Sequence, residues 1–462
     1  MSGSEPSVAV IGAGISGSVA AYRARAALGP AATIDVFEAA SHPGGLLSAR
    51  TVGGRTVDAG AESFIVRRPE AVALIAELGL DTHVVRPTGR RPALLATGVL
   101  RELPRPTLMG IPATVDAVDD VIAPADRALM ADESRRPLSW SPGDDVAIGE
   151  LVARRFGRSV VDRSVDPMLS GVYSCHSDDI GVRAALPQLA ARLDAGAPSL
   201  GAAISSLLPP PSSAPVFGAI DEGYRLLIDT LLETAGTRLH RECAVSAVRP
   251  SGARWEVHSA TDTTVADAVL VCVPASAAAL ILADGVPEVA AALRRVEIAG
   301  SGLVLLALRD DLQLPDHSGV LVATGEATRA KAITLSSQKW SHLSGGPVLV
   351  RASFGRLGDP IDTIDDETLI TSAVADLDLI SGLSGGPSIG AEDVIDAVVQ
   401  RWPVGLPRYA PGHLDIVAAV AAGRPRGLAL CGSAYDGVGV PACVKRADGA
   451  VAQIVGDLAA TG

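Results

Sequence analysis

Lysine is almost missing from this 462-residue chain. Only Lys331, Lys339 and Lys445 occur, and arginine supplies the rest of its 39 basic residues, the codon usage of a GC-rich genome. Positive charge is also outweighed overall. The formal net charge is −13, which argues against general nucleic-acid affinity and against a polybasic membrane surface. No nucleic-acid partner and at most peripheral membrane contact are therefore expected. Aromatic residues make up 3% of the chain, so Ala, Val and Leu must build the core, and the 48% apolar content is ample for that. The five cysteines (Cys175, Cys243, Cys272, Cys431, Cys443) contain no CxxC pair and no even framework, which fits a reducing cytoplasm. Cys175 and His176 are adjacent, but no second ligand pair stands at metal spacing, so no metal site is expected. Long apolar runs are absent too. The most apolar long stretch, Val265 to Ala283, contains Asp267 and Pro274 and reads as a buried strand followed by a helix. No signal peptide is expected ahead of the first apolar strand. These absences predict a cytoplasmic protein, peripheral at most at the inner face of the cell membrane, with two or three domains at this length.

What is present is concentrated in the first forty residues. Ser7-Val8-Ala9-Val10-Ile11 reads as a strand, followed by Gly12-Ala13-Gly14-Ile15-Ser16-Gly17, an Ala-rich helix, and a second strand from Thr33 to Phe37 that ends in Glu38. In this GxGxxG turn Gly12 permits the tight bend, Gly14 lets backbone approach a pyrophosphate, and Gly17 lets helix and strand pack closely. The helix N-terminus would hold the phosphates, and Glu38 would accept hydrogen bonds from ribose hydroxyls. Strand, turn, helix and acid in this order predict a dinucleotide-binding unit.

Further along, the stretch Arg68 to Gly79 reads as a helix with Pro69 at its first position and Gly79 just past its end, its core face formed by Val72, Ile75 and Leu78. Prolines at 104, 106, 112 and 124 punctuate short helical patterns, a longer helical region runs from Val146 to Ala195, and Pro209 to Ser213 reads as a linker. Residues 89–212 are thus expected to be a helical insertion. A helix then leads into a strand near Cys243 to Val248, and Val269 to Val273 reads as another strand. Between about 290 and 400, strands at Leu303 to Leu308, Ala332 to Ser337 and Val348 to Arg351 suggest a second sheet of α+β type. The C-terminal part holds Trp402, the strand Leu428 to Cys431, Gly432, and Gly437 to Pro441 opening a last helix. That helix N-terminus would favour negative charge on a nearby reduced ring.

The acid-ended strand, the Gly44-Gly45 turn and the segment Asp58-Ala59-Gly60-Ala61-Glu62-Ser63 resemble the flavin amine oxidase and protoporphyrinogen oxidase superfamily. Leu169 to Tyr173, Met109 to Pro112, Ala332 to Thr334, and Trp402 with Gly437 to Pro441 are similar to its bacterial HemY-type porphyrinogen oxidases. More closely still, they are similar to the coproporphyrinogen III oxidases of Gram-positive and actinobacterial haem synthesis. The resemblance implies an α/β plus α+β architecture: a Rossmann-like FAD-binding domain of the two-dinucleotide-binding-domain flavoprotein type, with a helical insertion and a substrate-binding sheet domain. The divisions are 1–88, 213–289 and 401–462 for FAD, 89–212 for the insertion, which faces substrate and membrane, and 290–400 for the substrate sheet. It also implies FAD contacts at Gly12, Ala13, Gly14, Ile15, Ser16, Gly17, Glu38, Ala39, Gly44, Gly45, Gly60, Ala61, Glu62, Ser63, Val245, Trp402, Gly432, Val438, Gly439 and Val440. Val245 is the residue whose backbone would meet the adenine, and an ordinary sheet valine is equally compatible. Many members carry Arg directly after the Gly-Gly turn. Here Leu46 stands there, and whether Arg50 replaces it is open.

The implied reaction removes six electrons from coproporphyrinogen III in three two-electron steps. FAD takes hydride from a meso carbon, O2 is the acceptor and H2O2 the product. The flavin carries the chemistry, so no catalytic side chain is named. Coproporphyrinogen has four carboxylates while the protein is net negative, so the pocket must be locally positive. Arg67, Arg68, Arg90 and Arg91, at the junction of FAD domain and insertion, are the candidates. Coproporphyrin ferrochelatase is the expected transient acceptor of the product. The alternatives are a protoporphyrinogen IX oxidase, an amine oxidase and a non-redox flavoprotein mutase. Amine oxidases of this fold place a lysine near the flavin from the substrate sheet, and Ser301 to Leu308 has none.

Overall fold

The computed structural model describes residues 5–210 and 214–460. Its centre is a five-stranded parallel sheet in the order Arg238–His240, Thr33–Phe37, Ser7–Ile11, Ala268–Val271, Leu428–Leu430. Strands with both faces covered read as continuous apolar runs, and these do. Val8 and Val10 face the helices Ile15–Leu28, Tyr224–Ala235 and Val440–Ala459. Ala9 and Ile11 face the opposite layer. That layer comprises the meander Val245–Ser251, Arg254–Ser259, Thr263–Ala266 and the helices Ala275–Ile281, Pro287–Leu293 and His413–Gly423. The strand-then-helix reading of Val265 to Ala283 holds for Ala268–Val271 and Ala275–Ile281. Among the described residues no helix is long and apolar enough to cross a membrane.

A second, seven-stranded sheet runs Val394–Pro407, Ile298–Leu308, Val348–Phe354, Ala332–Thr334, Gly319–Val322, Ala93–Ala96, Val99–Glu102. One face packs on the helix Asp366–Leu383. The other meets the helical lobe through Leu94, Ala96 and Ala323. Its last two strands correct the expectation that 89–212 is helical throughout. Thr97 and Gly98, both at positive φ (+56° and +70°), form a tight hairpin turn, and Ala93–Ala96 extends the sheet parallel to Gly319–Val322.

The rest of that segment is a helical lobe. Arg158 to Tyr173 runs as one helix with a π-helical stretch, Val161–Val165, just before Pro167. The wide turn accommodates a proline that has no N–H to give to the preceding turn. Pro209 and Pro210 are irregular, and the remainder of the linker, 211–213, lies outside the described residues. In the helix Pro69–Glu77 the buried face is Ala71, Leu74 and Ile75, while Val72 is 38% exposed. The i, i+3, i+4 stripe falls one position off the face expected for Val72.

Candidate functional site

The opening turn sits at the carboxyl end of the parallel sheet, where open α/β sheets bind ligands. Gly12 (φ +95°) donates its N–H to the Phe37 carbonyl at 2.7 Å. A Cβ there would lie 2.8 Å from Val273, and one on Gly17 would lie 1.8 Å from the Gly12 carbonyl oxygen. A Cβ on Gly14 would meet protein only at 3.8 Å, at the Gly44 carbonyl oxygen. Packing therefore demands glycine at 12 and 17, whereas the room beside Gly14 is free for a ligand. No side chain caps the helix that begins at Ile15, nor the helix that begins at Val440 after Gly439. Both helices follow strands of the parallel sheet, so both present uncapped N–H groups and positive dipole ends at the same edge. This donor set suits a diphosphate and an electron-rich ring, so the residues present fit a dinucleotide cofactor.

Glu38 is half-buried and braces the turn. Its Oε2 accepts from the Ala13 N–H at 2.8 Å and its Oε1 from the Ala40 N–H at 2.9 Å, which leaves lone pairs on both oxygens for hydroxyl donors. The Glu38 carbonyl accepts from the Cys243 N–H at 2.9 Å, and this brings Val245 to the same edge, with Ala39 exposed beside it. Gly44 donates to the Ala13 carbonyl at 2.9 Å, so the Gly44-Gly45 turn lies against Gly14. Gly60 follows closely, since a Cβ on it would be 1.7 Å from the Leu46 carbonyl oxygen. Arg50 is exposed and bonds back to Ser48 and Ala49.

Ala61 is exposed and Ser63 half-buried, but Glu62 turns into a closed charge network. Its Oε2 accepts from Lys339 Nζ at 2.7 Å and its Oε1 from Ser336 Oγ at 2.8 Å, with Arg351 Nη1 3.7 Å away. Arg351 also donates to the Gly60 carbonyl. Burial alone would raise the Glu62 pKa, but the Lys339 and Arg351 charges more than offset it and hold the carboxyl at about 2. Asp58 accepts the Tyr224 N–H at 3.1 Å, and burial pushes it up to about 7.

At the other rim, a Cβ on Gly432 (φ +138°) would meet no atom within 4 Å. The Tyr409 hydroxyl donates to the Ser433 carbonyl at 2.7 Å, and its ring stands 5.8 Å from that of Tyr173 in the helical lobe. Val438 packs against the core of that lobe, and Trp402 is half-buried opposite Ser301. The buried thiols of Cys272 and Cys431 end adjacent strands with sulfurs 2.8 Å apart, and burial pushes the Cys272 pKa well up.

The four nominated arginines are all exposed and engaged locally. Arg68 pairs with Glu70 at 3.1 Å, Arg90 with Asp316 at 2.6 Å, Arg91 with Glu102 at 3.5 Å, and Arg67 donates to the Ala214 carbonyl at 3.1 Å. The one grouping of metal-ligand type among the described residues is His83 with Asp221 and Glu222, at the surface. Sequence reasoning missed Lys339, Arg351, Lys331 and Arg356. The available signal was the scarcity of lysine. Two of the three are drawn inward, with Lys331 5% exposed and the Lys339 side chain 19% exposed.

Comparison with known proteins places this geometry. The family model for flavin containing amine oxidoreductase matches residues 15–455. The chain is 43% identical to the coproporphyrinogen III oxidase of Mycobacterium tuberculosis (strain ATCC 25618 / H37Rv), with 97% of each covered. A crystal structure from Exiguobacterium sp. 255-15, assigned to a protoporphyrinogen oxidase, superposes with a TM-score of 0.85 at 28% identity, covering 98% of this chain and 99% of that one. Cyclohexylamine oxidase from Brevibacterium oxydans IH-35A, at 14% identity and a TM-score of 0.68, covers 98% of this chain and 100% of its own and shares the fold alone. The protein is thus a flavin-dependent oxidoreductase, and the chain belongs to the flavin-containing amine oxidoreductase family, in its porphyrinogen oxidase branch.

Proposed function

We propose that this chain is an FAD-dependent oxidase that converts coproporphyrinogen III to coproporphyrin III in haem biosynthesis, with O2 as acceptor and H2O2 as product. The observation that carries the reading is likeness along nearly the whole chain to relatives named for that substrate. When bound, FAD would supply the hydride acceptor and the redox chemistry toward O2. The chain's own part is to hold and shape. Gly12 to Gly17 receive the diphosphate, Glu38 and Ala39 the ribose, and Val245 the adenine. Gly44, Gly45 and Gly60 to Ser63 line the cofactor's path, with Glu62 acting as an anchor. Trp402, Gly432 and Val438 to Val440 close the ring end, where the dipole of the last helix favours negative charge. No side chain is assigned as a general base. The porphyrin product passes to coproporphyrin ferrochelatase, and membrane contact is peripheral at most.

The test is an aerobic assay with coproporphyrinogen III and protoporphyrinogen IX, following porphyrin fluorescence and peroxide together. A higher kcat/KM for the copro substrate with three peroxides per porphyrin is expected. Equal or better turnover of protoporphyrinogen would overturn the substrate assignment, and porphyrin formed without peroxide would overturn the acceptor.

A further inference from the structure

We propose that Arg356, with Lys331 behind it, forms a carboxylate subsite that receives one propionate of the porphyrinogen at the seam between helical lobe and second sheet. The proposal rests on the substrate reading above. A tetra-anionic substrate entering a protein of net charge −13 needs local positive charge, and the surface arginines at the domain junction are already engaged. Arg356 differs from them. It follows the strand Val348–Phe354 in a loop turned by Gly355 (φ +81°), and its Nε donates to Ser170 Oγ at 3.3 Å. Among the described residues its two terminal nitrogens have no acceptor and no acid pairs with it. Burial lowers its pKa, the mark of a cation partly stripped of water.

Lys331 stands behind it, 5% exposed. Its Nζ donates to Ser174 Oγ at 2.8 Å and to the Gly355 carbonyl, which leaves the third N–H unused. Burial, with repulsion from Arg356, pulls it down to about 7. Ser174 holds a left-handed backbone (φ +52°) that glycine would adopt at less cost, and its hydroxyl is what meets the ammonium. The neighbouring acids are taken. Asp166 accepts from the Ser177 N–H and hydroxyl at 2.8 and 2.6 Å, from Thr324 at 2.8 Å and from His176 at 3.1 Å. Asp359 accepts the Arg356 backbone N–H at 2.8 Å.

Two desolvated cations without a carboxylate partner are costly, and an arriving anion relieves that cost. Their place suits the ring substrate. Ser170 and Ser174 flank Tyr173, whose ring meets Tyr409, and Tyr409 bonds Ser433 next to Gly432. A planar carboxylate fits the guanidinium fork in bidentate fashion.

The test compares Arg356→Met, Arg356→Lys and Lys331→Met with the unaltered holoenzyme. The readouts are KM and kcat for coproporphyrinogen III, together with binding of coproporphyrin III and of its tetramethyl ester by fluorescence. Arg356→Met should raise KM by roughly ten- to a hundredfold with a smaller change in kcat. It should weaken the acid and leave the ester unmoved, and Arg356→Lys should restore part of the loss. A flavin-loaded Arg356→Met protein that binds acid and ester as the wild type does would overturn the subsite. So would equal losses for both, with Lys331→Met alike. If the wild type prefers protoporphyrinogen, the substrate reading falls by itself. The subsite is then judged on that porphyrin's diacid against its dimethyl ester, where equal effects of Arg356→Met overturn it.

Discussion

Two pairs of buried or half-buried cations lie at or beside the same seven-stranded sheet and differ in their company. Lys339 and Arg351 close on Glu62: Lys339 is hydrogen-bonded to it, and Arg351 stands 3.7 Å from it while donating to the Gly60 carbonyl. Among the described residues, the side chains of Lys331 and Arg356 donate to hydroxyls and a carbonyl and to no carboxylate. Burial lowers the pKa of both Lys331 and Arg356, whereas the first pair holds its acid at about 2. A balanced network holds its own counter-charge within the protein and fixes backbone, here the Gly60 carbonyl. An unbalanced one carries an energetic cost that a ligand relieves, which is how binding sites differ from structural ion pairs.

Breaking the balanced pair should have the largest effect. Glu62→Gln keeps the shape but strands Lys339 and Arg351, and urea unfolding at pH 7 should show a loss of about 3–5 kcal/mol. The sign with pH follows from the lowered pKa. The contribution of Glu62 is complete above pH 4.5 and is lost as pH falls toward about 2, so wild type and variant should converge in acid. Parallel pH profiles would show that the carboxylate is not paired.

Lys331→Met probes the unbalanced pair and should behave oppositely. Between pH 7 and 10.5 the unfolded chain still holds the Lys331 proton that the folded chain has released, so wild-type stability rises with pH. The groups facing this ammonium are Ser174, Cys175, the Gly355 carbonyl, Arg356 and Asp359. Relative to Lys331→Met, the wild type should gain about 3–5 kcal/mol across that window and show no further change below it. A pH-independent difference would contradict the desolvated state of the pair.

The smallest effect is expected at Asp58, which borders the balanced network and faces Arg351, Glu62 and the Tyr224 N–H. Its pKa is raised from 3.8 to about 7, so the folded protein binds the extra proton and wild-type stability falls as pH rises through that range. Asp58→Asn keeps an acceptor for Tyr224 and removes this decline, a difference of about 3–4 kcal/mol by pH 8. An unchanged slope would mean that Asp58 titrates normally.

How much was legible depends on how local each feature is. The strand, turn and helix around Gly12 to Gly17 were readable because their spacing is contiguous, and Pro69, Gly79 and Pro441 marked helix ends for the same reason. The hairpin Ala93–Ala96 with Val99–Glu102 was missed although its Thr97-Gly98 turn is written in the chain, because the prolines that follow suggested a helical lobe. Val72 was misplaced because a short helix allows two neighbouring stripes, and only the packing partner chooses between them. The roles of Arg67, Arg68, Arg90 and Arg91 were inferred from chain position, while their acids at Glu70, Asp316 and Glu102 become visible only in three dimensions.

The amino-acid sequence by itself determined the glycine-rich turn between first strand and first helix, the paired sheets and the family resemblance, because backbone geometry and apolar periodicity act over neighbouring residues. Tertiary structure alone decided which charges are neutralised. Glu62 meets Lys339 across 277 positions of the chain, and Lys331 meets Ser174 across 157. Charge pairing depends on distance and dielectric in the folded molecule, and neither is encoded in any local stretch.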